Sequence, residues 1–143
     1  MNDEAREFRI GEVYLMDFGT NGNEQSGVRP GIVFQNNVGN HFSPNIIALP
    51  LTTSIKKISQ PTHVILPHEG TGLRKDSMVL CENPKIMSKE CIGRYLTRIP
   101  DDYMKKVAMA SLLATSAISF MRPEELLAVQ QEAISLNATN FVA

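Results

Sequence analysis

The hydrophobic pattern of this chain changes period once, at Pro100. Before it lie short runs rich in β-branched and aromatic residues: 12–18 "EVYLMDF", 29–35 "RPGIVFQ", 46–52 "IIALPLT", 63–67 "HVILP", 77–82 "SMVLCE" and 93–99 "GRYLTRI". Gly, Pro, Asn and Ser separate them. Runs this short, bounded by turn residues, predict strands rather than helices. After Pro100 the period becomes helical. Met104, Val107, Ala108, Ser111, Leu112, Thr115, Ile118 and Ser119 recur at helix spacing behind the acidic pair Asp101-Asp102. Strands followed by helices predict a mostly β, α+β chain, a small barrel with helices appended at its C-terminal end.

Arg122-Pro123 is expected to break the first helix, and Pro123 to open a second one running to about Leu136. At 143 residues the chain is expected to form one domain, with 1–121 as barrel and helix and 122–143 as a helical extension of it. Pro50 carries no ladder donor, which predicts an edge or bulge at the end of the third strand. Residues 36–45 read as a turn-rich link and 83–92 as irregular. The uncharged stretch 107–121 is apolar on more than one face. One small barrel covers only one face, so a second copy of the chain is the expected partner for the other.

Net charge is −1, which excludes a strongly basic nucleic-acid binder. The charge is uneven: 1–24 sums to −4, 25–98 to +5 and 99–143 to −2. A basic middle can attract phosphates locally. The start is acidic and has no apolar signal region, and the uncharged helical run 107–121 is shorter than the ~20 residues of a membrane span. Cys81 and Cys91 form no C-x-x-C pair, and Cys81 sits in an apolar run. A cytoplasmic, reduced protein without membrane contact is expected. His41, His63 and His68 share no metal-ligand spacing, and no phosphate-loop or nucleophile-elbow motif occurs, so neither metal nor cofactor is expected.

Arg29-Pro30 stands at the entrance to the second strand. Pro30 fixes its own φ and biases Arg29 toward an extended conformation, so the guanidinium is carried on a pinned backbone. Its planar fork of donors suits phosphate, or equally a surface carboxylate such as Glu24. The hydroxyl run Thr52-Thr53-Ser54 closes the third strand and can donate to phosphate oxygens or cap a turn. Glu82-Asn83 ends the fifth strand and could read a base edge or serve as a cap. Phe18 and Phe42 are candidates for base stacking, or core residues.

Taken in order, "GEVYLMDF…GNEQSGVRPGIVFQNNVGNHFSPNIIALPLT", "PTHVIL", "GLRKDSMVLCEN" and "IGRYL" resemble the MazF/PemK family of toxin endoribonucleases, from about Ile10 to Phe120. The resemblance implies an SH3-like barrel of the CcdB/PemK type and a homodimer. It implies cleavage of single-stranded RNA without a metal, and inhibition by a MazE-like antitoxin peptide. It places the catalytic arginine at Arg29, the catalytic threonine at Thr52 and the loop carboxylate at Glu24. Asn23, Gln25, Asn36, Thr53, Ser54, Ser77, Asn83 and Lys85 are then the expected substrate contacts. Two departures stand out: "ENPKIMS" at 82–88 replaces the family's usual E-Q-[IV]-R-[ST]-[IL]-D, and 122–143 extends past the usual end.

Such an enzyme would use the ribose 2′-OH as nucleophile. Arg29, with a pKa above 12, suits charge stabilisation and not proton abstraction. Glu24 is the nearby candidate base, weak at an ordinary pKa of about 4.3. Two alternatives use the same scaffold: a non-enzymatic CcdB-like gyrase-binding toxin, and an RNA-binding relative with weakened catalysis.

Overall fold

The computed structural model describes residues 6–19, 27–55 and 60–138. Seven strands run as β1 (Glu12–Asp17), β2 (Val28–Val33), β3 (Asn45–Thr52), β4 (His63–Leu66), β5 (Ser77–Leu80), β6 (Lys85–Ser88) and β7 (Ile92–Arg98). The described residues also form three helices, α1 (Asn37–Phe42), α2 (Asp101–Ala114) and α3 (Pro123–Ala138), and two 3-10 turns, Lys89–Cys91 between β6 and β7 and Ala117–Phe120 between α2 and α3. The predicted class, mostly β with C-terminal helices, is the one adopted.

The paired strands are antiparallel, in the order β4-β5-β3-β2-β1-β7, with β6 also on β3. The sheet curls but does not close; β4 and β7 end the path. A side-chain clasp spans the gap: Thr97 Oγ1 in β7 donates to the Thr71 carbonyl in the β4–β5 loop at 2.9 Å. Gly72 makes that approach feasible. It has φ +78°, and a Cβ there would lie 2.3 Å from Thr97 Oγ1. The loop is braced at its base, where Asp76 accepts from His68 N–H at 2.8 Å and pairs with the His68 ring at 2.7 Å. The His68 backbone donor, and then its ring, hold Asp76 below the ordinary carboxylate range.

β3 is the hub because both of its faces are buried. Leu49 and Leu51 join Val13, Ile32, Leu66 and Val79 in the interior, which α2 caps with Val107 and Ala110. Ile46 and Ala48 face the other way, onto Phe8, Tyr14, Met16, Met87 and Ile92. Of the edge or bulge expected at Pro50, the structure shows no edge but a break in the ladder. Pro50 pairs with Gly31 in mid-sheet, and falls where β3's other side changes partner from β6, ending at Ala48, to β5, starting at Leu51. A missing N–H is tolerated at such a break.

Three local assignments need correction. Residues 85–88 form a strand on β3, and 37–42 form a helix. That helix is held by polar caps: Asn36 Oδ1 accepts from Gly39 N–H at 2.9 Å, and Asn40 donates to the Gln35 carbonyl at 2.8 Å. The first C-terminal helix stops at Ala114, because Thr115 turns extended with ψ 158°. α3 begins at Pro123 as predicted, and docks back on α1. Asn37 N–H donates to Asn137 Oδ1 at 2.8 Å, and Asn37 Nδ2 to the Asn137 carbonyl at 3.4 Å.

Candidate active site

Arg29 and Thr52 are separated by half a strand order in sequence and meet through register. β2 and β3 pair Val33 with Ala48, Ile32 with Leu49 and Gly31 with Pro50. Continuing that antiparallel register sets Pro30 across from Leu51 and Arg29 across from Thr52. Directly opposed residues in an antiparallel pair present their side chains to the same face. Arg29 is also the register partner of Met16 in β1, and Thr52 that of Met78 in β5. The printed ladder ends at Gly31 and Pro50; carried two residues further it would put Arg29 and Thr52 in one row across four strands, at the rim where β2 enters and β3 leaves the sheet.

Arg29 is half-buried. Gly31, two residues on and on the same face, lets other side chains fold over the strand. A Cβ there would meet Met16 Sδ at 2.7 Å and Phe18 Cζ at 3.0 Å. Met16 and Phe18 thus lie across the bare backbone of β2 beside the arginine, and Phe18 packs against the second core.

Thr52 is only 4% exposed, and its Oγ1 accepts the Ser54 N–H at 3.0 Å. That bond uses one lone pair of the hydroxyl, whose proton can turn to donate elsewhere, for example to a phosphate oxygen.

The remaining expected contacts divide. Glu24, Asn23 and Gln25 lie outside the described residues. Thr53 and Ser54 are exposed beyond β3. Thr53 and Ser77 line the same cavity, of about 730 Å3, which Pro30 also lines. Ser77 is buried and its hydroxyl donates to the Lys75 carbonyl at 3.0 Å. Lys85 opposes Ala48, four residues back along β3 from Thr52, and Asn83 sits in the turn before it. Asn36 is not brought to the site. It caps α1 past the far end of β2, seven residues from Arg29, or about 20 Å of extended chain. Phe42, at the end of α1, is likewise remote and 71% exposed. Glu82, considered as a base reader, pairs with His63 Nε2 at 2.8 Å.

The cavity also brings in Arg74, Lys75, Arg94 and Tyr95, which were not among the expected site residues. They lay within the quoted motifs and the positive middle third, with nothing to mark them as neighbours. Among the described residues no group of three or more His, Cys, Asp or Glu is placed to hold a metal ion. None of the helices searched is long and apolar enough to cross a membrane.

Residues 9–113 match the family of PemK-like, MazF-like toxins of type II toxin–antitoxin systems, and the chain belongs to that family. It is 37% identical over 111 residues to endoribonuclease EndoA of Bacillus subtilis strain 168, covering 77% of this chain and 96% of that relative. A mycobacterial endoribonuclease, solved in complex with its cognate antitoxin, superposes with TM-score 0.66 at 26% identity, covering 82% of this chain and all of the other. MazF of Deinococcus radiodurans shares the fold at 19% identity, with TM-score 0.64 over 81% of this chain and 99% of the other. α3 lies wholly beyond the family match.

Proposed function

We propose that this chain is the toxin endoribonuclease of a type II toxin–antitoxin pair, cutting single-stranded RNA at short sequences. What supports the reading is the β2–β3 register, which, continued past its last pair Gly31↔Pro50, would set Arg29 opposite Thr52 on one face of the sheet rim. Splayed single strands expose the sugar-phosphate chain and base edges that a duplex hides.

In the proposed reaction the 2′-OH loses its proton as O2′ attacks the adjacent phosphorus. The P–O5′ bond breaks, and O5′ takes up a proton. The products are a 2′,3′-cyclic phosphate and a 5′-OH end. Arg29 neutralises the charge that builds on the phosphorane oxygens, and Thr52 donates its hydroxyl proton to a non-bridging oxygen. Glu24 is the proposed proton acceptor. Thr53, Ser54, Ser77, Asn83, Lys85, Asn23 and Gln25 are proposed to hold the flanking RNA. Asn36 has its structural account in the α1 cap.

The toxin is proposed to act in the cytoplasm as a homodimer silenced by an antitoxin peptide. Met109, Leu112 and Leu113 of α2 and Phe120 beyond it are exposed, which supports a self-association surface on the helical side. The test is incubation of the purified protein with a long mixed-sequence RNA in EDTA, with both end groups mapped. Site-specific cuts ending in cyclic phosphate and 5′-OH are expected. Intact RNA, or 5′-phosphate ends, would reject the reaction. Tight RNA binding without cutting would mark the weakened relative instead.

A further inference from the structure

The cavity beside the catalytic row has a composition that the cutting step does not use. Arg74 and Lys75 approach it from the β4–β5 loop and Arg94 from β7. None of the three has an ion-pair partner among the described residues. Three uncompensated cations around a cavity of about 730 Å3 make an anion site, and the size lies within the roughly 300–1,000 Å3 of small-ligand sites. Tyr95 adds an aromatic face, 49% exposed, and is anchored edge-on against Tyr14 at 5.5 Å between ring centroids. Leu15, Leu73 and Leu96 supply apolar floor. Cations for phosphates together with a fixed ring for a base are what a single-stranded nucleic acid requires.

Position ties this cavity to the reaction. Its lining includes Pro30 and Thr53, each the chain neighbour of a catalytic residue and so about 3.8 Å away between Cα atoms. Adjacent strand residues face opposite sides of the sheet. Pro30 therefore faces the side of β2 opposite Arg29, and Thr53, just past the end of β3, lines the same cavity.

We propose that an RNA strand crosses this rim, and that the Arg74–Lys75–Arg94 cavity with Tyr95 holds the nucleotide next to the cut as a flanking subsite. The proposal rests on the endoribonuclease reading and adds to it a second contact point that sets how longer substrates are held.

The test separates the two. Binding of a single-stranded RNA of about 20 nucleotides to the Arg29→Ala protein is followed by fluorescence anisotropy through a salt series. Adding Arg74→Ala and Arg94→Ala is expected to weaken affinity about tenfold or more. It is also expected to lower the slope of log affinity against log salt by about 1.4, from about 0.7 per lost phosphate contact. The Arg74→Lys/Arg94→Lys protein should keep the slope. Tyr95→Leu should weaken binding about fivefold to tenfold at unchanged slope, and Tyr95→Phe should restore it. A double-alanine protein that stays folded by circular dichroism, with unaltered affinity and slope, overturns the subsite. So does weaker binding with no change in slope. Loss of polyglutamate binding with RNA binding intact would make the cavity a protein site and reject the RNA assignment. Absence of cleavage by the unaltered protein would reject the endoribonuclease reading while the slopes still decide the subsite.

Discussion

The sheet and the C-terminal helices solve the burial problem in opposite ways. β3 has apolar side chains buried on both faces, and β5 is buried at every position. α2 buries only Val107 and Ala110, α3 buries no residue, and the helical side exposes Leu112, Leu113, Phe120, Leu127, Val129 and Ile134. Between α2 and α3 runs an apolar groove of about 870 Å3, with Phe34, Ile47 and Leu49 in its lining. The strands bury their apolar side chains within the domain, closed by Val107 and Ala110 of α2, whereas the helices leave apolar surface exposed. The proposed chemistry lies on the first region and the proposed association surface on the second.

That contrast is open to direct attack. Leu49→Ala should cost about 2–5 kcal/mol in urea unfolding, because it empties space in a packed interior, whereas Leu127→Ala should change stability by under about 0.5 kcal/mol. Comparable losses would break the distinction. Arg29→Ala should lower cleavage by about 10²–10³-fold with the unfolding midpoint and sedimentation coefficient unchanged. A shifted midpoint would make Arg29 a structural residue.

A third outcome concerns Cys81, which joins the two regions by bonding weakly to the Val107 carbonyl at 3.9 Å. Burial pushes its thiol up to about 11. A raised value favours the protonated form in the fold. The contribution is whole below the unfolded thiol's pKa of about 9, and is lost as pH rises toward 11. Stability should fall by about 2 kcal/mol across that interval, less so in Cys81→Ala. Equal pH dependence in the two proteins would remove the assignment. A local effect is expected at Asn137→Ala, which leaves the Asn37 N–H without its 2.8 Å acceptor. About 1 kcal/mol is expected, seen as faster amide exchange confined to α1 and α3.

The strands that the sequence displayed were those punctuated by Gly, Pro and Asn on both sides. β6 escaped because Lys85–Ser88 has adjacent apolar residues, Ile86 exposed and Met87 buried, and owes its extension to pairing with β3. α1 escaped because "NVGNHF" is a poor helix former, held by the side chains of Asn36, Asn37 and Asn40. The end of α2 escaped because the apolar period continues through Ile118 although the backbone does not. In the site, Arg29 stood out before Pro30 and Thr52 at the end of the third strand, and the family motifs supplied their expected roles. Their juxtaposition is a property of register, which no local window contains. Arg74 and Arg94 stand 20 positions apart and share a cavity only because the β4–β5 loop reaches β7.

That reach works like a buckle on a strap. Where hydrogen-bonded strands would have fixed the circumference, a lone hydroxyl and a residue without a side chain do so instead. The closure is thus sensitive to very small edits: bulk added at position 72 must push the loop away from β7 and loosen the hold of Thr97 on it.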